Sequence, residues 1–295
     1  MTILFPNDPI HPRKPDPDYA TEFDAAAIAG FHCALFSLEA LRAGDIRSAL
    51  APCSTPPEPG EWLTHRCWMM SDSLYAELHA GLVDLGYAPQ VSPDGYAEAH
   101  YLPLAFKHLS PLTADSRWME GRDEERAWTL FREIGSDAII KDWVKSAKHR
   151  WRDACFIPAE TTRERFGQIF QNFLAARGAL FEKGIVLRRF HHLAQLCEDM
   201  KGQPVHEEYR MFFYRGELLA ATPAPNGEGP FGQIEKWTAV ARKFASPFIT
   251  IDVAREESGN WLIIESGDAG VSGLPVSIEA GQFFGALAQL QRTHK

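Results

Sequence analysis

Residues 248–268 read FITIDVAREESGNWLIIESGD. Two short apolar runs, Phe248–Val253 and Trp261–Glu265, flank a polar segment that contains Ser258–Gly259. Apolar runs of this length on either side of a glycine-bearing turn form a β-hairpin. With Ser258–Gly259 as a two-residue turn, Glu257 pairs with Asn260, and the ladder counts back to Asp252 opposite Glu265. Directly opposed residues place their Cβ atoms about 4.5–5.5 Å apart on one face. Two carboxylates there repel each other unless a cation or a shared proton compensates. Mg²⁺ suits such a pair, because it takes oxygen ligands, usually one or two carboxylates plus substrate phosphates. Asp268 offers a third oxygen donor as the strand ends. The competing reading puts both acids on the solvent face of the hairpin, where a one-residue slip of register would part them. Asp252 lies between Ile251 and Val253, and Glu265 follows Ile263–Ile264, which weighs against a plain surface pair. From the residues alone both readings stay open.

A second hairpin precedes this one, with strands Glu208–Tyr214 and Glu217–Thr222 joined at Arg215–Gly216. The last third is therefore an antiparallel sheet, closed by a helix over Ile278–Leu290 that packs through Phe283, Phe284, Leu287 and Leu290. The first hundred residues differ. Strands at Ile3–Phe5, Cys33–Leu38 and Trp62–Met70 alternate with helices at Tyr19–Ala29 and Asp72–Leu85, the pattern of a small parallel sheet. Asp16 caps the first helix ahead of Pro17, and Gly30 stops it. Leu74, Leu78, Leu82 and Leu85 make the stripe of the second, which Gly86 ends. In the middle, a helix over Arg122–Ile134 with Gly135 as its cap leads to a strand at Ala138–Trp143. Thr161 and Glu164 form a capping box for a helix reaching Glu182, followed by a strand at Gly184–Phe190. Ala51–Gly60 and Pro223–Gly232 are too rich in proline or glycine to be regular. The class is α+β with a parallel-type start, which does not fit a single Rossmann domain.

A chain of 295 residues suits two modest domains or one elaborate one. Its formal net charge of −9 argues against a general binder of nucleic acid or membrane surface, so any anion site must be a local basic cluster. Five cysteines, none at CxxC spacing, read as reduced thiols. With no signal peptide and no apolar run approaching 18 residues, the expected location is cytoplasmic. One basic cluster stands out. Lys141 ends the run Ala138–Ile140, and Lys145, Lys148, His149, Arg150 and Arg152 follow. This is either a phosphate cradle or a solvated loop. The solvated reading is preferred for Arg150 and Arg152, whereas Lys141 is open. Arg188 and Arg189 end the strand Ile185–Leu187. Arg210 interrupts an aromatic strand and must be paired if buried, with Glu208 or Glu217, or with an external phosphate or carboxylate. Gly227, Gly229 and Gly232 spell GxGxxG but lack the βαβ setting of a dinucleotide site. There is no Walker A sequence, GxSxG or HExxH, and His191, His192 and His206 read as polar strand ends or loop.

Taken in order, the segments ILFPNDPIHPRKPDPDYATEFDAA, RCWMMSDSLYAELHAGL, YLPLAFKHLSPLTADSRW, IIKDWVKSAKHR, GIVLRRF, EEYRMFFYRGELLA and IDVA…WLIIESGDAGVSGLP resemble the ATP-grasp superfamily. Within it they resemble the bacterial and phage clade named for two arginines and a lysine. The resemblance implies an α+β ATP-grasp fold, in which two α+β subdomains sandwich nucleotide behind a small α/β pre-ATP-grasp domain. It divides the chain into 1–110, an N-terminal α/β domain; 111–192, a lid and nucleotide-binding subdomain; and 193–295, a C-terminal core with the metal site. It implies ATP and Mg²⁺ as cofactors. Lys141 becomes the phosphate-binding lysine with Lys145 as a second, Arg188 leads into the adenine hinge, and Arg210 holds phosphate or acyl phosphate. Lys141 and Arg210 would serve catalysis, and Asp252, Glu265 and Asp268 would hold Mg²⁺. The implied reaction joins a carboxylate to an amine through an acyl phosphate, on small-molecule or peptide substrates, with Asn7 and Asp8 as candidate contributors from the first domain. Two features depart from the superfamily pattern. Asp268 stands where asparagine is usual, and Arg188–Arg189 replace the acidic hinge residue. Rival functions are a nucleotide-binding module without ligase activity, a phosphotransferase acting on a hydroxyl and, resting on the glycine match, a nicotinamide dehydrogenase.

Overall fold

Strand β1 (Thr2–Pro6) is buried along its whole length, as a central strand of a parallel sheet must be. In the computed structural model, which describes residues 1–198, 204–224 and 229–293, it is flanked by β2 (His32–Phe36) and β3 (Glu61–His65), and β4 (Tyr87–Pro89) follows at the edge. All pairings in this sheet, of order β2-β1-β3-β4, are parallel. Helices α1 (Ala20–Ile28), α2 (Leu38–Arg42), α3 (Ile46–Leu50), α4 (Asp72–Asp84) and α5 (Pro93–His100) accompany it. Side chains start three of them: Ser37, Asp45 and Ser71 each accept a hydrogen bond from the backbone N–H of the N3 residue. Asp16 accepts from the N2 residue, Asp18, at the start of a 3₁₀ turn opened by Pro17, and α1 continues from that turn.

A second sheet is antiparallel, of order β5-β8-β6-β7. After α6 (Leu102–Leu109) come β5 (Ser116–Glu120), α7 (Glu124–Ile134), β6 (Ala138–Asp142), α8 (Trp151–Ala154), β7 (Phe156–Ile157), α9 (Arg163–Arg177) and β8 (Gly184–Arg189). Its core gathers Phe131, Ile140, Phe166, Phe170, Phe173 and Leu187. Two expectations shift here. The cap of α9 is Thr162, whose hydroxyl accepts from Arg165, and the helix ends at Arg177 before Gly178 instead of reaching Glu182. Thr161 is used differently: its N–H closes a turn onto Pro158. A short hairpin of β9 (Gln195–Glu198) and β10 (Pro204–His206) follows.

The last sheet has order β12-β11-β13-β14, with β11 (Glu208–Tyr214), β12 (Glu217–Ala221), β13 (Phe248–Arg255) and β14 (Trp261–Asp268). Helix α10 (Ile234–Ala241) precedes β13, and α11 (Ala280–Thr293) ends the described chain. Arg215 and Gly216 both take positive φ, 51° and 73°, the type I′ geometry that matches strand twist in a two-residue hairpin. The β13–β14 turn is different. Glu256 N donates to Asn260 O at 2.8 Å, Gly259 N donates to Glu256 O at 2.8 Å, and Gly259 has φ 90°. This is a three-residue loop with glycine in the left-handed position. Its closing pair is Glu256–Asn260, not Glu257–Asn260, so direct opposition of Asp252 and Glu265 does not follow from the turn.

The chain forms two compact units, each discontinuous in sequence. One comprises Met1–His100, Tyr209–Asp252 and Ser266–Lys295; the other comprises Tyr101–Glu208 and Val253–Glu265. One boundary follows α5 and the others fall within β11, β13 and β14, whereas the division into 1–110, 111–192 and 193–295 that the resemblance implies is continuous in sequence. Of the literal GxGxxG, Gly227 lies outside the described residues, as do residues 225–228 of the irregular Pro223–Gly232 stretch. Gly229 and Gly232 sit in a 3₁₀ turn ahead of α10.

Candidate active site

In the unit holding the second sheet, Asp142 shapes the turn that carries the lysines. Asp142 is fully buried. Its Oδ1 accepts from Val144 N at 2.8 Å and Lys145 N at 2.6 Å, and its Oδ2 accepts from Arg177 Nε at 2.7 Å. Its own N–H donates to Lys145 O at 2.9 Å. The chain thereby doubles back after β6, so that Ser146 lies opposite Lys141. Lys145 Nζ reaches Glu265 Oε1 at 3.0 Å. Lys141 is 8% exposed. Burial pushes its ammonium down to about 8, and the Arg188 and Lys145 charges add to this while Glu265 opposes it. Burial alone would raise the Glu265 carboxyl, but the Lys141 and Lys145 charges outweigh that and hold it at about 2. Two of the expected phosphate lysines and one of the expected metal carboxylates therefore share one electrostatic cluster.

Arg188, on β8, is buried beside them. Its Nη1 donates to Ile264 O at 2.5 Å, and its Nη2 donates to Ile263 O at 2.8 Å and Thr113 Oγ1 at 2.9 Å. Among the described residues no carboxylate lies within ion-pairing distance of it. Burial lowers its guanidinium to about 10 against the pull of Glu265.

In the other unit, Arg210 grips Asp252 with both arms of its fork. Nε donates to Oδ1 at 2.9 Å and Nη2 to Oδ2 at 2.7 Å, while Nη1 donates to Gly273 O at 3.2 Å. The sequence reading did not offer Asp252 as the partner of Arg210. Asp268 is fully buried, and its Oδ1 accepts from Gly270 N at 2.8 Å. His65 Nε2 stands 3.1 Å from the same oxygen without hydrogen-bond alignment. Asp268 Oδ2 has no hydrogen-bond partner.

The loop after Asp268 is wrapped around Arg66. This guanidinium, 1% exposed, donates to the carbonyls of Ala269 and Ser272 and to Glu22 at 2.7 and 2.9 Å. Burial alone would depress Arg66, but the Glu22 carboxylate more than offsets it and raises the guanidinium above its ordinary value. Ser272 Oγ donates to Asp268 O at 2.8 Å, and Cys67 N to Gly270 O at 2.8 Å. Glu22, His65, Arg66 and Ser272 escaped the sequence reading. The available signal was Arg66 itself, the one full charge inside the expected strand WLTHRCWMM. A Cβ on Gly270 would stand 2.5 Å from His65 Nε2 and 2.7 Å from Asp268 Oδ1. Gly270→Ala is accordingly expected to cost about 1–3 kcal/mol through overpacking, to be read by chemical denaturation. An unchanged midpoint would show that this loop yields freely.

The carboxylates expected to hold a hard cation are Asp252 and Asp268 in one unit and Glu265 in the other. Each is a carboxylate, the donor type Mg²⁺ takes; Glu265 is held ionised in its own unit, and in the other unit Asp268 Oδ2 has no hydrogen-bond partner among the described residues. Among the described residues no three His, Cys, Asp or Glu side chains gather as a metal-binding group. As described, these carboxylates face the chain's own donors, Arg210 and Lys145 among them. Asn7 and Asp8 follow β1; Asn7 Nδ2 donates to Pro12 O and Asp8 Oδ1 accepts from Ile10 N, so both hold the local loop.

A family model described as an ATP-grasp domain, family 3 of the clade named for two arginines and a lysine, matches residues 133–287, more than half of the chain. The chain belongs to this family. The ATP-grasp fold extends over the whole of it. A RimK domain ATP-grasp protein from Sphaerobacter thermophilus DSM 20745 aligns with TM-score 0.61 at 12% identity over 98% of each chain. The ATP-grasp ligase PsnB, complexed with minimal precursor, Mg and ADP, aligns with TM-score 0.58 at 12% identity over 100% of this chain and 98% of PsnB. The D-cycloserine synthetase DcsG aligns with TM-score 0.56 at 13% identity over 98% and 99%. At these identities the likeness is one of fold. No curated protein matches the sequence. The expected α+β ATP-grasp architecture with a parallel sheet at the start is thus the one observed.

Proposed function

We propose that this ATP-grasp protein is an ATP- and Mg²⁺-dependent ligase that joins a carboxylate to an amine through an acyl phosphate. The observation that carries the reading is the cluster of Lys141, Lys145 and Glu265, which sets phosphate-binding cations beside a carboxylate kept ionised. Family membership supports it, as do structural neighbours described as a ligase bound to precursor, Mg and ADP and as a synthetase.

The chemistry requires these parts. A carboxylate does not acylate an amine in neutral water, because oxide is a poor leaving group. Attack of a carboxylate oxygen on the γ-phosphorus of ATP breaks the bond to the bridging oxygen, releases ADP and leaves an acyl phosphate. The amine then attacks the acyl carbon, the carbon–oxygen bond to phosphate breaks, and the amine loses a proton. Two anions must meet in the first step. Lys141 and Lys145 would hold phosphate oxygens, and Arg210 would hold phosphate or acyl phosphate and the oxyanion of the second step. Asp252, Glu265 and Asp268 would hold Mg²⁺, which when bound neutralises charge on the phosphates. Asp268, in place of the usual asparagine, adds a negative charge to that site. The net charge of −9 supports small-molecule or peptide substrates over nucleic acid, and no described helix is long and apolar enough to cross a membrane. We place the protein in the cytoplasm.

Thermal unfolding with Mg²⁺ and a non-hydrolysable ATP analogue tests this, with NADH as control. A ligand at 100 times its dissociation constant stabilises by roughly 2.7 kcal/mol, a shift of several degrees. The expected result is a Mg²⁺-dependent shift with the ATP analogue, none with NADH, and ADP release that needs both a carboxylic acid and an amine. ADP release with a hydroxyl acceptor and no amine would favour phosphoryl transfer instead. No shift at millimolar analogue would overturn the reading.

A further inference from the structure

We infer that Arg188 is a positioning residue for Glu265 and not a nucleotide ligand; this rests on the ligase reading above. Its Nη atoms, the tips of the guanidinium fork that would meet phosphate, are already engaged. Nη1 takes Ile264 O, and Nη2 takes Ile263 O and Thr113 Oγ1. The Ile264 carbonyl lies in the same rigid peptide plane as the nitrogen and Cα of Glu265. Holding that oxygen therefore holds the root of the Glu265 side chain. The neighbouring residue is fixed on both sides, because Ile263 N donates to Leu112 O at 2.7 Å and Thr113 Oγ1 donates to Ile263 O at 2.9 Å. Arg188 thus completes a frame around residues 263–264, beyond which the Glu265 carboxylate reaches Lys145 Nζ at 3.0 Å.

The choice of arginine is itself informative. A neutral donor could tie two carbonyls at smaller desolvation cost. A buried guanidinium without a carboxylate partner does more: it sets a fixed positive charge beside Glu265, and Glu265 in turn raises it. Lysine offers the charge but not the planar fork that spans two successive carbonyls. Outer-shell partners of this kind alter metal affinity by about 10–100-fold when removed.

Mn²⁺ affinity of the protein–ADP complex, titrated by the loss of the free-ion EPR signal, and ADP affinity in EDTA test the inference. They are compared in wild type, Arg188→Lys and Thr113→Val. Arg188→Lys should weaken Mn²⁺ binding by about 10-fold or more while changing metal-free ADP affinity by no more than about 3-fold. Thr113→Val, which removes one partner of the fork and keeps the side chain's shape, should shift Mn²⁺ affinity in the same direction by a smaller factor and is read alone if Arg188→Lys does not fold. Unchanged Mn²⁺ affinity in the variants, or ADP affinity in EDTA falling as far as Mn²⁺ affinity, would overturn the inference and make Arg188 a nucleotide ligand or a plain strut. Wild-type protein that binds neither ADP nor Mn²⁺ would instead overturn the ligase reading, and this inference with it.

Discussion

Arg66→Met is expected to destabilise the protein by about 3–5 kcal/mol, the usual cost of removing one partner of a buried charge pair. On a domain of this size that is a fall in Tm on the order of 10 °C. The loss is large because Arg66 is 1% exposed and serves three groups at once: Glu22 and the carbonyls of Ala269 and Ser272. Methionine fills the volume but leaves a partly buried carboxylate and two carbonyls without a donor. Arg66→Lys should recover little, since one ammonium cannot match the fork. Glu22→Gln should cost less than Arg66→Met, and the double substitution should fall short of the sum because the two side chains share one interaction. Equilibrium denaturation of wild type and the four variants checks this. A loss below about 1 kcal/mol for Arg66→Met would mean that the pair behaves as a surface bridge and does not hold the loop after Asp268.

Lys141→Met should behave in the opposite sense, more stable but inactive. Burial pushes Lys141 from its ordinary 10.5 to about 8 in the folded chain. The unfolded chain then binds a proton between pH 10.5 and 8 that the folded chain declines. Wild-type stability therefore rises with pH through that window, and below about pH 8 the full cost of the buried charge is present. Methionine carries no such cost. Its stability advantage over wild type should shrink by about 2–3 kcal/mol between about pH 7 and pH 10. Other lysines and tyrosines titrate in the same range but cancel in the difference. On the proposed reading, in which Lys141 would hold phosphate oxygens, turnover of ATP should fall by a factor on the order of 10² or more. A pH-independent difference between the two proteins would show that Lys141 stays protonated up to its ordinary pKa.

What the sequence disclosed depended on range. Strand β11 was legible to the residue, since an aromatic run between Glu208 and the Arg215–Gly216 turn has one reading. The Asp16–Pro17 start and the Gly135 stop were equally plain, because caps act within a few residues. Errors came where two local rules competed. Thr161 satisfies the capping-box spacing to Glu164, but its N–H is committed to a turn, so Thr162 caps instead. Ser258–Gly259 satisfies a two-residue hairpin, but Gly259 takes the left-handed place in a three-residue loop. Helices α2 and α3, five residues each, were too short for periodicity to reveal. The candidate site divided in the same way. Lys141 and Glu265 drew notice as charges closing apolar strands and Lys145 as part of the basic run that follows; Lys145 reaches Glu265, and the Glu265 charge acts on Lys141. The Arg66–Glu22 pair with the Ala269 and Ser272 carbonyls was invisible, because those carbonyls lie 203 and 206 residues away in sequence. Such contacts leave no local pattern.

The packing of helix α11 sets an order on biosynthesis. Phe284 on that helix packs against Phe5 of β1 and Phe31 just before β2, with both pairs of ring centroids 6.3 Å apart. Phe283 and Leu287 belong to the same core as Ile3 and Leu4. The parallel sheet is translated first, yet the α11 residues that share its core emerge only after every other described element has been made. A nascent chain therefore carries apolar residues that lack their α11 partners through most of its elongation, the kind of surface that aggregates or recruits chaperones. A polypeptide ending before Ala280 would leave Phe5 and Phe31 without their Phe284 neighbour, and quality control would treat that product as unfinished.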